Sequence, residues 1–368
     1  MAGTSTTSRW PSLATAAPIV GLVVLVAAWG RDLPIIAAIG AALVLGGAVL
    51  AAVHHAEVIA HKVGEPFGSL TLAVAVTIIE VGLIVALMSA GGPGASSLAR
   101  DTVFAAVMIT CNGILGLSLL AASTRHGIAL FNAEGSGAAL ATVATLTTLT
   151  LVLPSFTTSV PGPEYNTVQL VFAALASAAL YGVFVVTQTM RHRDFFLPVE
   201  VPEDDADDSD THAEPPTGRA ALSSLALLLI SLVVVVGLAK VESPFIEDAV
   251  AGAGLPQAVV GVVIALLVLL PESLAAVRAA RRNRTQVALN LAFGSAMASI
   301  GLTIPVIAVA SIWLEGPLLL GLGATQLVLF GLTMVVGALT VVPGRATRLQ
   351  GAVHLAIMAA FLVLAASP

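Results

Sequence analysis

The stretch PFGSLTLAVAVTIIEVGLIVALMSA, residues 66–90, contains one ionisable side chain, Glu80, among 25 residues. A helix needs about 20 apolar residues to cross the ~30 Å hydrocarbon layer of a membrane, so this stretch is long enough. A second apolar stretch, residues 255–277, carries Glu272 directly after the run Leu266 to Pro271. The sequence therefore predicts two membrane helices that each hold one carboxylate at membrane depth.

The composition of the whole chain excludes a soluble domain. Of its 368 residues, 58% are hydrophobic and only 10% are charged, whereas soluble domains carry about 25% charged residues. Aromatic residues are too sparse for the girdles of a membrane β-barrel, and the ten-residue alternating pattern of such a barrel is missing.

The motifs HExxH, GxSxG and the phosphate-binding P-loop are absent from the sequence. Cys111 is the only cysteine, so no intrachain disulfide can form.

Hydropathy, with breaks at Gly, Pro and charged residues, predicts about eleven membrane helices. They lie near residues 14–30, 33–56, 66–90, 101–123, 137–158, 166–190, 219–239, 255–277, 286–312, 318–342 and 349–366. A cleaved signal peptide is the alternative for the first helix, but Arg31 and Asp32 follow where a small-residue cleavage site is expected. The predicted fold class is an all-α integral membrane protein.

The basic residues predict how these helices are oriented. With the N-terminus in the cytoplasm, the opposite side receives only Arg31, Arg100 and Lys240. The cytoplasmic side receives the other basic residues, which are Arg9, Lys62, Arg125, Arg191, Arg193, Arg219, Arg278, Arg281, Arg282, Arg284, Arg345 and Arg348. Because cytoplasmic loops carry an excess of Lys and Arg, we expect a multi-pass protein of the inner (plasma) membrane with an external C-terminus.

The two halves of the chain resemble each other weakly. Residues 68–79 and 260–271 are both apolar segments with glycine near the start, and each is followed directly by a glutamate. Helices two to six and seven to eleven form two sets of five, and because five is odd the second set must be inverted. Inverted repeats around a site at the membrane midplane are typical of secondary transporters. The predicted organisation is an N-terminal tail and first helix, a first repeat, an acidic cytoplasmic linker and a second repeat: residues 1–32, 33–198, 199–217 and 218–368.

The linker is rich in aspartate, with Asp204, Asp205, Asp207 and Asp208 close together between prolines. A block of like charges is usually solvated and poorly packed, so the loop is either a plain linker or a regulatory, Ca²⁺-attracting segment. Aspartate-rich motifs also bind Mg²⁺-diphosphate in membrane enzymes. Here the motif has no second copy, and a diphosphate-dependent membrane enzyme is the remaining alternative.

Glu80 and Glu272 are the two acidic residues that the sequence places deep inside apolar helices. An ionised side chain at this depth costs at least about 2.5–3.5 kcal/mol, and no Lys or Arg is predicted in the membrane to offset it. The carboxylates therefore bind a cation or a proton; a permanently protonated glutamate, hydrogen-bonded between helices, is the structural alternative. Ca²⁺ takes 6–8 oxygen ligands, and the candidate supporting oxygens are those of Thr77, Ser273, Thr110, Asn112, Asn290, Ser295 and Ser299. For each of these an interhelical hydrogen bond is the alternative.

Histidines cluster at the predicted cytoplasmic end of the second helix. His54, His55 and His61 lie there around Glu57. Because histidine titrates near neutral pH, His55 and Glu57 are candidate regulatory residues; an interfacial polar face is the alternative interpretation.

Several of these segments resemble the calcium/cation antiporter superfamily, and within it the ChaA-type sodium(potassium)/calcium–proton antiporters. Residues 55–88, with Glu57, residues 64–70 and Ile79-Glu80-Val81, are similar to the first α-repeat of that family. Residues 261–305 resemble the second, through Leu270-Pro271-Glu272 and residues 290–295. The resemblance implies one extra helix followed by two inverted five-helix repeats, with Glu80 and Glu272 as the central cation and proton site.

One departure from the family concerns the ligands. Related calcium/proton exchangers carry a Gly-Asn pair before each glutamate, where this chain has Val76-Thr77 and Leu269-Leu270. This departure removes amide ligands for Ca²⁺ and leaves Na⁺ or K⁺ open as the substrate. From the paired glutamates and the resemblance we expect a secondary antiporter, not an enzyme, that exchanges cytoplasmic Ca²⁺ for external protons. Na⁺ and K⁺ are further candidate substrates, and a purely monovalent cation/proton antiporter is the alternative. No cofactor or nucleic acid is expected; the partners are cations, protons and the lipid bilayer, and a homo-oligomer is not indicated.

Overall fold

The computed structural model describes residues 10–31, 33–64, 67–92, 94–199, 216–314 and 316–368. Their α-helices are, in chain order, α1 (Trp10–Ala28), α2 (Ile35–Val63), α3 (Phe67–Ala90), α4 (Leu98–Met108), α5 (Leu115–His126), α6 (Ala133–Thr147), α7 (Thr167–Val186), α8 (Gly218–Gly252), α9 (Ala258–Arg281), α10 (Thr285–Ala310), α11 (Ala324–Val341) and α12 (Arg348–Ala366). A π-helical turn, Ile109–Ile114, joins α4 to α5, and two others, Thr148–Val152 and Thr187–Arg191, follow α6 and α7. Two short strands, β1 (Ala129–Leu130) and β2 (Arg345–Ala346), pair in antiparallel fashion.

Ten helical stretches of the described residues are long and apolar enough to cross a membrane. One of them runs from Ala95 to His126 through α4, the π-helical turn and α5. A shorter apolar helix, Leu13–Ala28, supplies the eleventh. The prediction of an all-α integral membrane protein with about eleven membrane helices is confirmed. The aspartates of the predicted linker, Asp204, Asp205, Asp207 and Asp208, lie outside the described residues, as does Arg9.

Two helices extend well beyond the ends that the sequence predicts. The second helix was predicted to end at residue 56, but α2 continues through the histidine cluster to Val63. The seventh was predicted to end at residue 239, but α8 continues past Lys240 and Pro244 to Gly252. An interior proline removes one backbone hydrogen bond and bends a helix without always ending it. As a result, Glu242 belongs to a helix and not to a loop.

The described helices fall into two compact units. The first spans Met1–Ala86 and Glu214–Ile246, and therefore contains α1, α2 and most of α3 and α8. The second spans Leu87–Ala213 and Glu247–Pro368 and contains the remaining helices. Each unit thus takes helices from both predicted repeats; the repeat boundaries at residues 33–198 and 218–368 stay a prediction.

In the first unit, α8 packs against α1 and α3 through glycines. A methyl group on Gly237 would lie 2.6 Å from Leu25 Cδ2, and one on Gly82 would lie 2.9 Å from Val236 Cγ2. Lipid supplies no hydrophobic force to hold membrane helices together, so these helices associate through close packing. Small residues such as glycine allow that close approach. These contacts place Gly82 of α3 and Leu25 of α1 beside the same turn of α8.

In the second unit, α5 and α12 approach each other closely at Gly351. A methyl group on Gly351 would lie 2.8 Å from the backbone nitrogen of Leu120 and 3.0 Å from the carbonyl oxygen of Gly116. The pairing of β1 with β2 joins the C-terminal end of α5 to the start of α12 on the same side. These contacts tie α5 to α12 beside the π-helical turn that holds Asn112.

Candidate functional site

Both predicted glutamates are buried in the interior of helices. Glu80 lies in α3 and is 3% exposed, and Glu272 lies in α9 and is 7% exposed. Glu80 belongs to the first compact unit and Glu272 to the second. Burying a carboxylate away from water is costly unless it is hydrogen-bonded, paired, cation-bound or protonated. Both positions are therefore suited to binding a cation or a proton.

Beside Glu80, the hydroxyl of Thr77 is buried one turn earlier on α3. Its Oγ1 donates a hydrogen bond to the carbonyl oxygen of Ala73, at 2.9 Å. A hydroxyl that donates a hydrogen bond still has two lone pairs on its oxygen with which to accept. The Thr77 oxygen can therefore accept from a protonated Glu80 or contribute to binding a cation.

Beside Glu272, the helix backbone is opened by Pro271. Proline has no N–H, so the carbonyl of Leu267 loses its usual partner four residues on, one turn before Glu272 in α9. The hydroxyl of Ser273 donates to the carbonyl oxygen of Leu269, at 2.7 Å. Within the second unit, this part of the chain offers a carboxylate, a hydroxyl and a backbone carbonyl on adjacent turns.

The π-helical turn Ile109–Ile114 packs against α9 and α10, which carry Glu272, Ser295 and Ser299. π-helical turns inside α-helices frequently occur at functional sites. Thr110 lies in this turn, fully buried, and its hydroxyl donates to the carbonyl oxygen of Ala106 at 2.7 Å. The structure thus brings three of the elements that carry predicted ligands into contact.

Asn112, in the same turn, connects three helices. Its Nδ2 donates to Thr333 Oγ1 of α11 at 2.9 Å, and its Oδ1 pairs with Nδ1 of His354 of α12 at 3.1 Å. The other ring nitrogen of His354 pairs with Thr340 Oγ1 at 3.1 Å. With neutral His354 donating from Nδ1 and accepting at Nε2, Asn112, Thr333 and His354 each both donate and accept. Both ends of the Asn112 amide are therefore engaged by neighbouring helices.

This network predicts a stability effect. His354→Leu removes two hydrogen bonds and leaves two buried groups, Asn112 Oδ1 and the Thr340 hydroxyl, without these partners. Thr340→Val removes one bond and leaves one buried group, His354 Nε2, without its donor. Interhelical hydrogen bonds average ~0.6 kcal/mol in membrane proteins, and an unsatisfied buried polar group costs ~1–3 kcal/mol. We expect His354→Leu to lower thermal stability in detergent more than Thr340→Val does, as measured by fluorescence-monitored unfolding. Equal stability of the wild type and His354→Leu would contradict a role for the network.

Two other predicted ligands lie in different surroundings. Asn290 of α10 donates from Nδ2 to the carbonyl oxygen of Phe196 at 2.7 Å and accepts from Gln286 Nε2 at 2.8 Å. It therefore connects α10 to the segment after α7. Ser299 is buried and Ser295 is half-buried on α10.

The candidate regulatory residue His55 is buried in the first unit. Its Nε2 lies 3.2 Å from the carbonyl oxygen of Ala14, and its Nδ1 lies 3.3 Å from Ser224 Oγ. A neutral ring that donates from Nε2 and accepts at Nδ1 satisfies both contacts. His55 thus connects α2 to α1 and α8, while Glu57 is half-buried two residues further along.

Two buried acids were missed by sequence reasoning. Asp101, near the start of α4, pairs with Arg100 Nε at 2.8 Å and accepts from Ser97 Oγ at 3.0 Å. It lines a cavity of about 260 Å³ together with residues of α9, α11 and α12. The second acid, Glu242, is 1% exposed. The only sequence signal for Glu242 was that the apolar run of α8 resumes after Lys240.

Comparison with known proteins yields a family and close relatives. The sodium/calcium exchanger protein family matches residues 33–190 and 223–366. A putative ionic transporter of Sinorhizobium fredii (strain NBRC 101917 / NGR234), y4hA, is 47% identical over 354 residues, which cover 95% of each chain. The sodium-potassium/proton antiporter ChaA of Escherichia coli (strain K12) is 37% identical over 350 residues, which cover 94% of each chain.

Two solved structures have a similar fold. The H⁺/Ca²⁺ exchanger CAX matches with a TM-score of 0.70 and 14% identity, over 98% of this chain and 93% of that one. Native YfkE matches with a TM-score of 0.68 and 15% identity, over 96% of this chain and 98% of that one. At these identities the likeness concerns the fold.

Proposed function

The chain belongs to the sodium/calcium exchanger protein family, and from that premise we propose that it is an antiporter that exchanges cytoplasmic Ca²⁺ for external protons at Glu80 and Glu272. Family membership makes it a secondary cation transporter and not the diphosphate-dependent enzyme that the aspartate-rich loop allowed. The observation that carries the proposal is the burial of two carboxylates inside separate apolar helices. Transported ions are its ligands, and no cofactor takes part.

In the proposed mechanism, protons and cations compete for the same carboxylates. A cation that reaches Glu80 and Glu272 from the cytoplasm displaces their protons, and neutral oxygens such as that of Thr77 complete its coordination. After the site opens to the outside, protons return to the carboxylates and release the cation. Exchange is coupled because the carboxylates hold either protons or the cation.

A monovalent cation/proton antiporter is the second candidate. Two observations favour it: Val76-Thr77 and Leu269-Leu270 supply no side-chain amide before either glutamate, and the 37% identical relative is named a sodium-potassium/proton antiporter. Ca²⁺ takes 6–8 oxygen ligands with carboxylates supplying charge, and the missing amides leave fewer side-chain oxygens for it.

Ion flux distinguishes these two candidates. Purified protein in proteoliposomes, with a pH gradient imposed, should accumulate Ca²⁺, Na⁺ or K⁺ when each is offered separately. Uptake of Ca²⁺ supports the first candidate, whereas uptake of only the monovalent ions supports the second. No proton-coupled uptake of any of the three would overturn both.

The proposed orientation places the N-terminus in the cytoplasm and the C-terminus outside. On a Cys111→Ser background, Arg281→Cys at the end of α9 should be cytoplasmic and Thr158→Cys, after α6, external; both positions are exposed. An impermeant thiol reagent added to intact cells should label Thr158→Cys and spare Arg281→Cys. The reverse labelling pattern would contradict the orientation.

A further inference from the structure

Among the described residues of the first unit, Glu242 is the second buried carboxylate beside Glu80. It is 1% exposed, and within the described residues neither of its carboxylate oxygens has a hydrogen-bond partner. The next residue, Ser243, is also buried, whereas Lys240 is exposed on another face of α8. A buried carboxylate without a hydrogen bond is strongly destabilising when ionised, so the side chain needs a ligand at its oxygens.

The packing of α8 against its neighbours shows at which end of the first unit Glu242 lies. Gly21 and Leu25 of α1 meet Val234 and Gly237 of α8 in the same order, so these two helices run in parallel. The third and seventh membrane spans, α3 and α8, also cross the membrane in the same direction because successive spans alternate. Glu242 therefore lies toward the end of the unit where α1 and α3 terminate, which is the external end in the proposed orientation.

The distance from Glu80 follows from the contact of Gly82 with Val236. Glu80 precedes Gly82 by two residues, and Glu242 follows Val236 by six, in the opposite direction along parallel helices. Eight residues at about 1.5 Å each give an axial separation of about 12 Å. Glu242 is thus further out than Glu80 within the same unit, on the side from which external protons enter.

Charged groups near this end of the unit are few. On α8 they are Lys240 and Asp248, both exposed, and Glu247, which is half-buried; Arg31, exposed, follows the end of α1. In α3 the only ionisable side chain is Glu80, and the first turn of α2 has no charged residue. No ion pair to Glu242 is present among the described residues. Among the described residues no group of three or more His, Cys, Asp or Glu side chains could hold a metal ion, and Ca²⁺ takes 6–8 oxygens. A proton is therefore the ligand that fits.

We propose that Glu242 is a proton-binding site that loads external protons for exchange, an inference that rests on the proposed antiport at Glu80 and Glu272. External hydronium gives its proton to the Glu242 carboxylate, leaving water and a neutral carboxylic acid. The acid then passes the proton inward along a chain of hydrogen-bonded water molecules that spans the ~12 Å to the Glu80 carboxylate. Glu242 returns to the carboxylate, so that one proton has moved inward with no other change.

The test compares Glu242→Gln with Asp248→Asn, a matched variant of an exposed acid on the same helix. In proteoliposomes, Glu242→Gln should exchange cations at least about tenfold more slowly than wild type when external protons are scarce, since positioned acid–base groups contribute ~10²–10⁴-fold to proton transfer. The difference should shrink as external pH falls, while the equilibrium cation affinity stays unchanged. Asp248→Asn should keep the wild-type pH profile. A wild-type pH profile for folded Glu242→Gln would overturn the proposal.

A second measurement on the unmodified chain does not depend on how the variant folds. Dicyclohexylcarbodiimide reacts with protonated carboxyl groups in apolar surroundings, and mass spectrometry locates the adduct. We expect an adduct on Glu242 that forms faster at lower pH, including in a variant with Glu80→Gln and Glu272→Gln, and none on Asp248. No adduct on Glu242 at any pH would overturn the proposal. Ion exchange by Glu80→Gln would overturn the proposed function. Wild-type behaviour of Glu242→Gln alone would overturn proton loading at Glu242 and leave the proposed function standing.

Discussion

Glu80→Gln and Glu272→Gln should each fold normally and each lose cation-driven proton flux by about a hundredfold or more. Glutamine keeps the size of the side chain and resembles a protonated glutamate, so the packing of α3 and α9 is preserved. It can neither release a proton nor offer negative charge to a cation. Because both carboxylates serve one exchange cycle, the double variant should be no more impaired than either single one.

The measurement is proton flux into proteoliposomes with a fluorescent pH indicator, after a cation gradient is imposed. Glu134→Gln is the matched control, because Glu134 is an exposed acid at the start of α6 and its change should leave flux intact. Size-exclusion profiles and helix content should match the wild type for all three variants. A folded Glu80→Gln or Glu272→Gln variant with near wild-type exchange would contradict the proposed site.

The membrane spans could be predicted from the sequence because a helix in lipid must be apolar over most of its length. The runs around Glu80 and Glu272 are such segments, so their depth in a helix followed from composition alone. The burial of Glu242 did not follow, because Lys240 and Pro244 resemble a helix end. In the structure Lys240 is exposed on a different face, and α8 continues through Pro244 to Gly252.

The surroundings of the candidate ligands depend on contacts distant in sequence. The sequence placed Asn112 in mid-helix and allowed either a ligand or an interhelical hydrogen bond. Its partners Thr333 and His354 are 221 and 242 residues away, a pairing that hydropathy does not reveal. The π-helical turn around Asn112 also carries no compositional signature, since it depends on how α4 and α5 pack against α9 and α10.

The apparent affinity for the transported cation should rise with pH. At low pH the carboxylates of Glu80 and Glu272 hold protons that an arriving cation must displace, so part of its binding free energy is spent on releasing them. Raising the pH removes this competitor. Affinity should therefore increase by up to about tenfold per pH unit for each proton displaced, and level off once both carboxylates are ionised.

Equilibrium binding of ⁴⁵Ca²⁺ or ²²Na⁺ to purified protein over a series of pH values measures this slope. Release of two protons per cation predicts a steeper slope than release of one, and Glu80→Gln should reduce the slope because one exchangeable proton is gone. Glu134→Gln should keep the wild-type slope. Affinity that is constant or falls with rising pH would show that the cation does not replace protons on these carboxylates, because mass action requires the opposite sign whenever it does.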